Sequence, residues 1–201
     1  QILAEVGQKH FPEAELVQLP IADGGEGLVD ALLLACGGEK IWAEVADPLG
    51  RPIQAFYGIL GDGTAVIEMA AASGLPLLKD SEKDILKTST YGTGQLIGDA
   101  LKRGCRAFIL GLGGSATNDG GAGAAAALGI RYLDREGNEI HSGGALRQLE
   151  QIDTSQLQAG LELARFKIAC DVNNPLFGPN GAAHIYAPQK GANPQQVELL
   201  D

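Results

Sequence analysis

Four short stretches of this 201-residue chain carry oxygen- and nitrogen-bearing side chains that could do chemistry, two of them among clustered glycines. That composition suits an anion held by backbone amides, because glycine lets the main chain approach a ligand closely. The longest stretch is Gly111-Leu112-Gly113-Gly114-Ser115-Ala116-Thr117-Asn118-Asp119-Gly120-Gly121, between an apolar run at Ala107 to Leu110 and an alanine-rich helix over Ala122 to Leu128. Unpaired amides at a helix start, with the positive end of the helix dipole, make such a loop an anion cradle. Its candidate contacts are Gly113, Gly114, Ser115, Ala116, Thr117, Asn118 and Asp119. The plainer alternative is a tight turn whose Ser, Thr and Asp only cap the helix.

Asp23-Gly24-Gly25-Glu26-Gly27 joins an extended run over Glu15 to Ile21 to a helix over Leu28 to Cys36. Asp23 and Glu26 are hard oxygen donors suited to Mg2+, with Gly24 and Gly25 beside them to offer amides. A capping arrangement of Asp23 with Glu26 accounts for the same residues. Asp171 directly follows the apolar run Phe166 to Cys170, at a strand end where open α/β sheets collect ligands, and could take the proton of a substrate hydroxyl. Asn173 and Asn174 could orient that substrate, or the segment could be an Asx-turn ahead of Pro175. Lys190, in Ala187-Pro188-Gln189-Lys190-Gly191-Ala192, could set a charge on a phosphate or simply be solvated.

These residues need strands that end together. Ile53, Ala55, Tyr57 and Ile59 alternate onto one face, which predicts an antiparallel meander from Ile41 to Met69. Leu96, Ile97, Ala100 and Leu101 make a helical stripe. Leu146, Leu149 and Ile152 read as another short helix, and Asn193 with Pro194 opens a last one. Two strand-loop-helix units flanking a meander predict an α/β fold, with boundaries near Lys40 and Arg165. Its middle section is either inserted in a doubly wound domain or stands as a second domain.

With 45% hydrophobic and 20% charged residues the chain has the composition of a soluble globular protein. A net charge of −10 and 15 scattered Lys and Arg leave no basic stripe for nucleic acid. No apolar stretch approaches the roughly 20 residues of a membrane span and no leader opens the chain, so a cytoplasmic protein is expected. Cys36, Cys105 and Cys170, odd in number and in apolar contexts, read as buried thiols. His10, His141 and His184 have no metal-ligand spacing. Both ends break off within apparent helices, so the chain reads as a fragment.

Ala22-Asp23-Gly24-Gly25-Glu26-Gly27, the Gly113 to Gly121 loop, Asp171-Val172-Asn173-Asn174-Pro175-Leu176 and Pro188-Gln189-Lys190-Gly191-Ala192 together resemble the bacterial glycerate kinase family. Ala46-Asp47-Pro48-Leu49-Gly50-Arg51 and Ser89-Thr90-Tyr91-Gly92-Thr93-Gly94 are similar too. The resemblance covers essentially the whole chain, in the family's order, but lacks the family's opening Pro-Asp-Ser-Phe-Lys-type motif and a large C-terminal portion. It implies a Rossmann-like doubly wound domain with an inserted smaller α/β domain. Residues 1–40 and 166–201 would form parts of the first and 41–165 the second. It further implies ATP and Mg2+, glycerate as the phosphoryl acceptor and 2-phosphoglycerate as product. In that setting Asp171, Asp23 and Lys190 are the catalytic candidates and Asp23 and Glu26 the metal candidates; the oligomeric state is left open.

Two rivals come from other classes. Gly111-x-Gly113-x-x-Ala116 followed by Asp134 has the outline of a dinucleotide fingerprint, as in an NAD(P)-dependent oxidoreductase. A non-catalytic sugar-acid binding protein would use the same cradles without turnover. Gly111 to Ala116 also approaches the glycine-rich signature of the mevalonate and homoserine kinases, although the other motifs do not follow that order.

Overall fold

The longest ladder joins β1 (Gly38–Ala46) to β2 (Pro52–Leu60), antiparallel through all nine residues of each. The Asp47 carboxylate makes their tight turn: it accepts the amides of Leu49 and Arg51 and the Arg51 guanidinium. β2 continues antiparallel into β3 (Ala65–Glu68), so the expected meander is present. β3 then pairs in parallel with β4 (Ala107–Gly111), and β4 with β7 (Arg165–Ala169). The result is a five-stranded sheet in the order β1-β2-β3-β4-β7, continuous across residue 165. This computed structural model describes residues 2–17, 21, 22 and 24–201.

Helices cover both faces, as α/β patterning requires. α4 (Tyr91–Lys102) lays Leu96, Ile97, Ala100 and Leu101 against Ala55, Tyr57, Ala65, Ile67 and Phe108. The predicted row Ile53, Ala55, Tyr57, Ile59 packs on this face. On the opposite face α2 (Leu28–Cys36) sets Leu28 and Val29 against Leu60 and Val66. Neighbours Ala65, Val66 and Ile67 thus serve alternate cores, the period-two arrangement of a strand buried on both sides. Burying a Leu or Val side chain stabilises by about 1.5–3 kcal/mol, so these two clusters carry most of the sheet's hold on its helices.

The remaining elements are short: α1 (Ile2–His10), α3 (Ala70–Ser73), α5 (Ala122–Ala127), α6 (Ala182–Tyr186) and α7 (Pro194–Leu200). Asn193 caps α7 in a reciprocal pair with Gln196, with Pro194 at the first helical position, as the sequence predicts. α6, α7 and Ile85 share a third, smaller core through Ala183, Ala187 and Val197.

Two expectations are corrected. The apolar triplet Leu146, Leu149 and Ile152 is not one helix: a 3-10 stretch covers Gly143–Gln148, and Ile152 lies in β6 (Gln151–Asp153), paired with β5 (Arg131–Leu133). Three apolar residues at helical spacing fit a turn followed by a strand equally well. Of the three thiols only Cys105 is buried; Cys36 ends α2, Cys170 follows β7, and both are exposed. The extended run predicted over Glu15 to Ile21 falls partly outside the described residues. Among the described residues, no helix is long and apolar enough to cross a membrane.

Candidate active site

The three parallel strands end in register, Glu68 beside Gly111 and Gly111 beside Ala169. Every chain segment leaving these ends is a glycine loop or bears a carboxylate. Gly24 and Gly25 are buried against the β4 and β7 ends. The Gly113 amide donates to the Gly24 carbonyl at 3.1 Å and the Leu112 amide to the Ala169 carbonyl at 3.4 Å. A side chain at Gly113 would put its Cβ 2.6 Å from the Gly25 Cα, so this seat admits only glycine. The two glycine motifs, far apart in sequence, are thus one packed unit.

Above that unit lies a cleft of about 390 Å³ lined by Leu112, Gly113, Gly114, Ser115, Cys170, Asp171, Gln189 and Lys190, among others. Its size falls at the low end of small-molecule sites. Lys190 enters from a 3-10 turn, Pro188–Lys190, and is only 8% exposed. Its Nζ donates to Ser115 Oγ at 2.8 Å and to the Thr117 carbonyl at 2.6 Å. Burial lowers its pKa to about 8, against the opposing pull of Asp119. The solvated alternative for Lys190 is therefore overturned: the ammonium is an anchored cation at the cleft wall. Asp171 is exposed at the same cleft, two residues beyond the end of β7. Gly114, at φ 74° and exposed, presents an amide that donates to no acceptor among the described residues, as does Ser115.

The second half of the glycine loop has a different part. Asp119, 2% exposed, accepts the Thr90 amide and hydroxyl at 2.8 Å each and the Gly123 amide at 3.2 Å on Oδ2, and the Gly121 amide at 3.0 Å on Oδ1. The Ala122 amide goes to the Asp119 carbonyl and the Ala124 amide to Thr90 Oγ1. All the first amides of α5 are consumed inside the protein. This corrects the expectation that the helix start is the cradle: a carboxylate from its own chain already occupies it. Ala116 and Thr117, 1% and 5% exposed, also face inward, the first bonded through its backbone to Ser73 and Thr88. Asn118 Nδ2 is buried with no partner among the described residues.

Elsewhere the expectations divide. Asn174 spends its side chain inside its own loop, donating to the Asn180 carbonyl and accepting the Tyr186 hydroxyl, which leaves Asn173 exposed beside it. Glu26 is exposed, and Asp23 lies outside the described residues. The oxidoreductase outline fails on its acid. Asp134 accepts the amides of Glu136 and Asn138 and the Asn138 side chain, so its carboxylate is engaged in building its own tight turn. A further cavity of about 310 Å³ lies by Pro48, Tyr91, His141 and Leu146, but its carboxylates Asp47 and Asp119 are satisfied by protein donors. Sequence reasoning missed Glu68, a buried acid ending an apolar strand; that single charge in an apolar run was the available signal.

A three-layer α/β protein with anion-compatible glycine loops, an ammonium and a carboxylate gathered at its parallel strand ends is the class these features define. The chain belongs to the glycerate kinase family, whose model matches residues 1–201. It is 53% identical over 193 residues to a glycerate kinase of Bacillus subtilis (strain 168), covering 95% of this chain and 50% of that protein. It is 51% identical over 193 residues to a glycerate 2-kinase of Escherichia coli (strain K12), covering 95% and 51%. A crystal structure of a protein assigned as a glycerate kinase 2 from Salmonella typhimurium LT2 superposes with a TM-score of 0.89 at 48% identity, over 99% of this chain and 54% of that one. The chain spans about half the length of the curated relatives it matches.

Proposed function

We propose that the complete protein containing this chain transfers the γ-phosphoryl group of ATP to a hydroxyl of glycerate, giving 2-phosphoglycerate and ADP. The observation that carries this reading is the buried Lys190 ammonium at the wall of a cleft that also holds Asp171 and the amides of Gly114 and Ser115, which have no acceptor among the described residues. The family membership and the names of the relatives support the substrates.

Phosphoryl transfer asks a protein for positioning and charge neutralisation more than for covalent chemistry. In this reading Lys190 and the Gly114 and Ser115 amides hold transferring phosphate oxygens. Asp171 accepts the proton of the attacking hydroxyl as the new O–P bond forms and the bond to ADP breaks. Asn173 orients the acceptor. Among the described residues no group of three or more His, Cys, Asp or Glu is gathered to hold a metal ion. That fits Mg2+ brought with the nucleotide, an ion that keeps waters and phosphate oxygens and needs only one or two carboxylates. Glu26 and Asp23 are proposed for them, and the ion would neutralise charge on the phosphates. Residues 1–40 and 166–201 would belong to a Rossmann-like domain and 41–165 to an inserted one, joined by the β4–β7 ladder; a cytoplasmic setting belongs to the same proposal.

The test is transfer of label from γ-labelled ATP to glycerate by the complete protein, with the product's phosphate position read by NMR. Label appearing in 2-phosphoglycerate, and lost with Lys190→Ala, supports the reading. Absence of transfer at saturating ATP, Mg2+ and glycerate overturns it.

A further inference from the structure

Glu68 is the last residue of β3, level with Gly111 beneath the glycine loops, and it is 3% exposed. Its Oε1 accepts the Val29 amide at 2.7 Å, and the Gly27 amide is near enough to favour the charged carboxylate. Both amides belong to the start of α2. The N-cap of that helix is Gly27 at φ 91°, with no side-chain cap of its own. A carboxylate from the central strand therefore supplies, from across the fold, the cap the local sequence lacks. Burial raises the Glu68 carboxyl above the usual range, and the Val29 and Gly27 hydrogen bonds oppose this.

The loop that ends on this cap begins on the cleft. Gly24 and Gly25 are wedged against Ala169, Gly111 and Gly113, and Gly24 accepts the Gly113 amide. Val29 is held by Glu68. Glu26, exposed, lies between the two anchorages. Rotation of α2's first turn would move Glu26 and the floor under Gly113 together.

We propose that Glu68 is a positioning residue: by holding the Val29 amide in the first turn of α2 it sets the direction of Glu26 and the seat of Gly113, without touching a ligand itself. The catalytic side of this inference rests on the kinase reading above; its structural side does not.

The experiment uses the complete protein and four variants. Glu68→Ala removes the cap, Glu68→Asp withdraws the carboxylate by one methylene, and Glu68→Gln keeps an oxygen acceptor. Leu33→Ala, on the same helix but packed against Gly58, weakens α2 without touching the loop. Glu68→Ala and Glu68→Asp should raise the half-saturating Mg·ATP concentration about tenfold or more, the scale seen when a partner behind a ligating group is lost, while Glu68→Gln rescues to within about threefold. Leu33→Ala should lower Tm and leave that concentration unchanged. Hydrogen exchange without substrate is the second readout. The amides of Gly25 to Val29 and of Gly113 should exchange faster in Glu68→Ala and Glu68→Asp but not in Leu33→Ala. Folded Glu68→Asp with unchanged Mg·ATP dependence, or a response matched by Leu33→Ala, overturns the proposal. A wild-type protein without transfer overturns the kinase reading instead, and the exchange pattern then decides the positioning role by itself: unchanged exchange at Gly113 refutes it.

Discussion

The Lys190 ammonium and the Ser115 hydroxyl meet at 2.8 Å across 75 positions of sequence, and that bond ties the turn at Pro188–Lys190 to the first half of the glycine loop. With the Thr117 carbonyl as a second acceptor, two of the three ammonium hydrogens are committed inside the protein. The third is available to the cleft. Lys190 is therefore aimed before any ligand arrives, which removes much of the ordering cost a flexible lysine would bring to phosphate binding.

Its lowered pKa gives a pH signature. In the proposed role the charged form holds phosphate, so kcat/KM of the complete protein for ATP should be level at lower pH and fall as pH rises through about 8, the value for Lys190 in the free protein. Lys190→Arg, which does not titrate in this range, should have lower activity but lose that limb. Stability moves the other way. The folded pKa lies below the ordinary 10.5, so the unfolded chain holds more protons between about 8 and 10.5 and stability should rise with pH across that window. Urea unfolding at several pH values checks this, and Lys190→Met should flatten the slope.

Asp171→Asn keeps size and hydrogen bonding but removes the base. Turnover should fall by about 10²-fold or more with little change in ATP affinity. A folded variant with near-normal turnover would reduce Asp171 to a turn residue.

The Asp119 carboxylate, accepting from Thr90, Gly121 and Gly123, joins the starts of α4 and α5. Asp119→Ala should cost about 3 kcal/mol or more, the scale of breaking a buried charge network, and Asp119→Asn somewhat less because it keeps one acceptor oxygen while its amide hydrogens face donors. Thr90→Val combined with Asp119→Asn should be clearly non-additive, since the two side chains are bonded to each other. Chemical denaturation of the four proteins measures it.

Gly113 and Gly114 are adjacent but should respond differently. Gly114→Ala meets only the Ala70 Cβ at 3.1 Å and carries the strain of a positive φ, a cost of about 1 kcal/mol. Gly113→Ala drives a methyl into the Gly25 backbone, so its thermal midpoint should drop much further.

Cys170 lines the cleft and is exposed, so it reports occupancy. Its alkylation by a neutral maleimide should slow when ATP with Mg2+ is added, while Cys36, outside the cleft, reacts unchanged. Mass spectrometry of the two peptides distinguishes these outcomes.

The strands were legible in the chain because one buried on a single face writes period-two alternation, as at Ile53 to Ile59, and one buried on both faces a continuous apolar run, as at Ala65 to Ile67. The α7 cap was legible for the same local reason: Asn193, Pro194 and Gln196 act within one turn. What escaped was long-range. Asp119 looks like a loop acid until Thr90 is brought to it, and Lys190 looks solvated until Ser115 and Thr117 close on it. Two of the four motifs pack backbone to backbone, Gly24 and Gly25 against Gly113, but residue type alone could not say that half the glycine loop faces the core.

The ladder between β4 and β7 has a kinetic consequence. β1 and β2 are joined by one tight turn, so their hairpin can form locally, whereas β7 reaches β4 only after the whole segment from Leu112 to Ala164 has been folded out of the way. Closing so long a loop is slow, because its entropy is lost before the pairing rewards it. Asp171 and Lys190 both follow β7 in the chain. Refolding followed by fluorescence of Trp42, in the early hairpin, should therefore run ahead of the recovery of a ligand-protected Cys170: the scaffold arrives first, and the chemistry is the last thing the chain acquires.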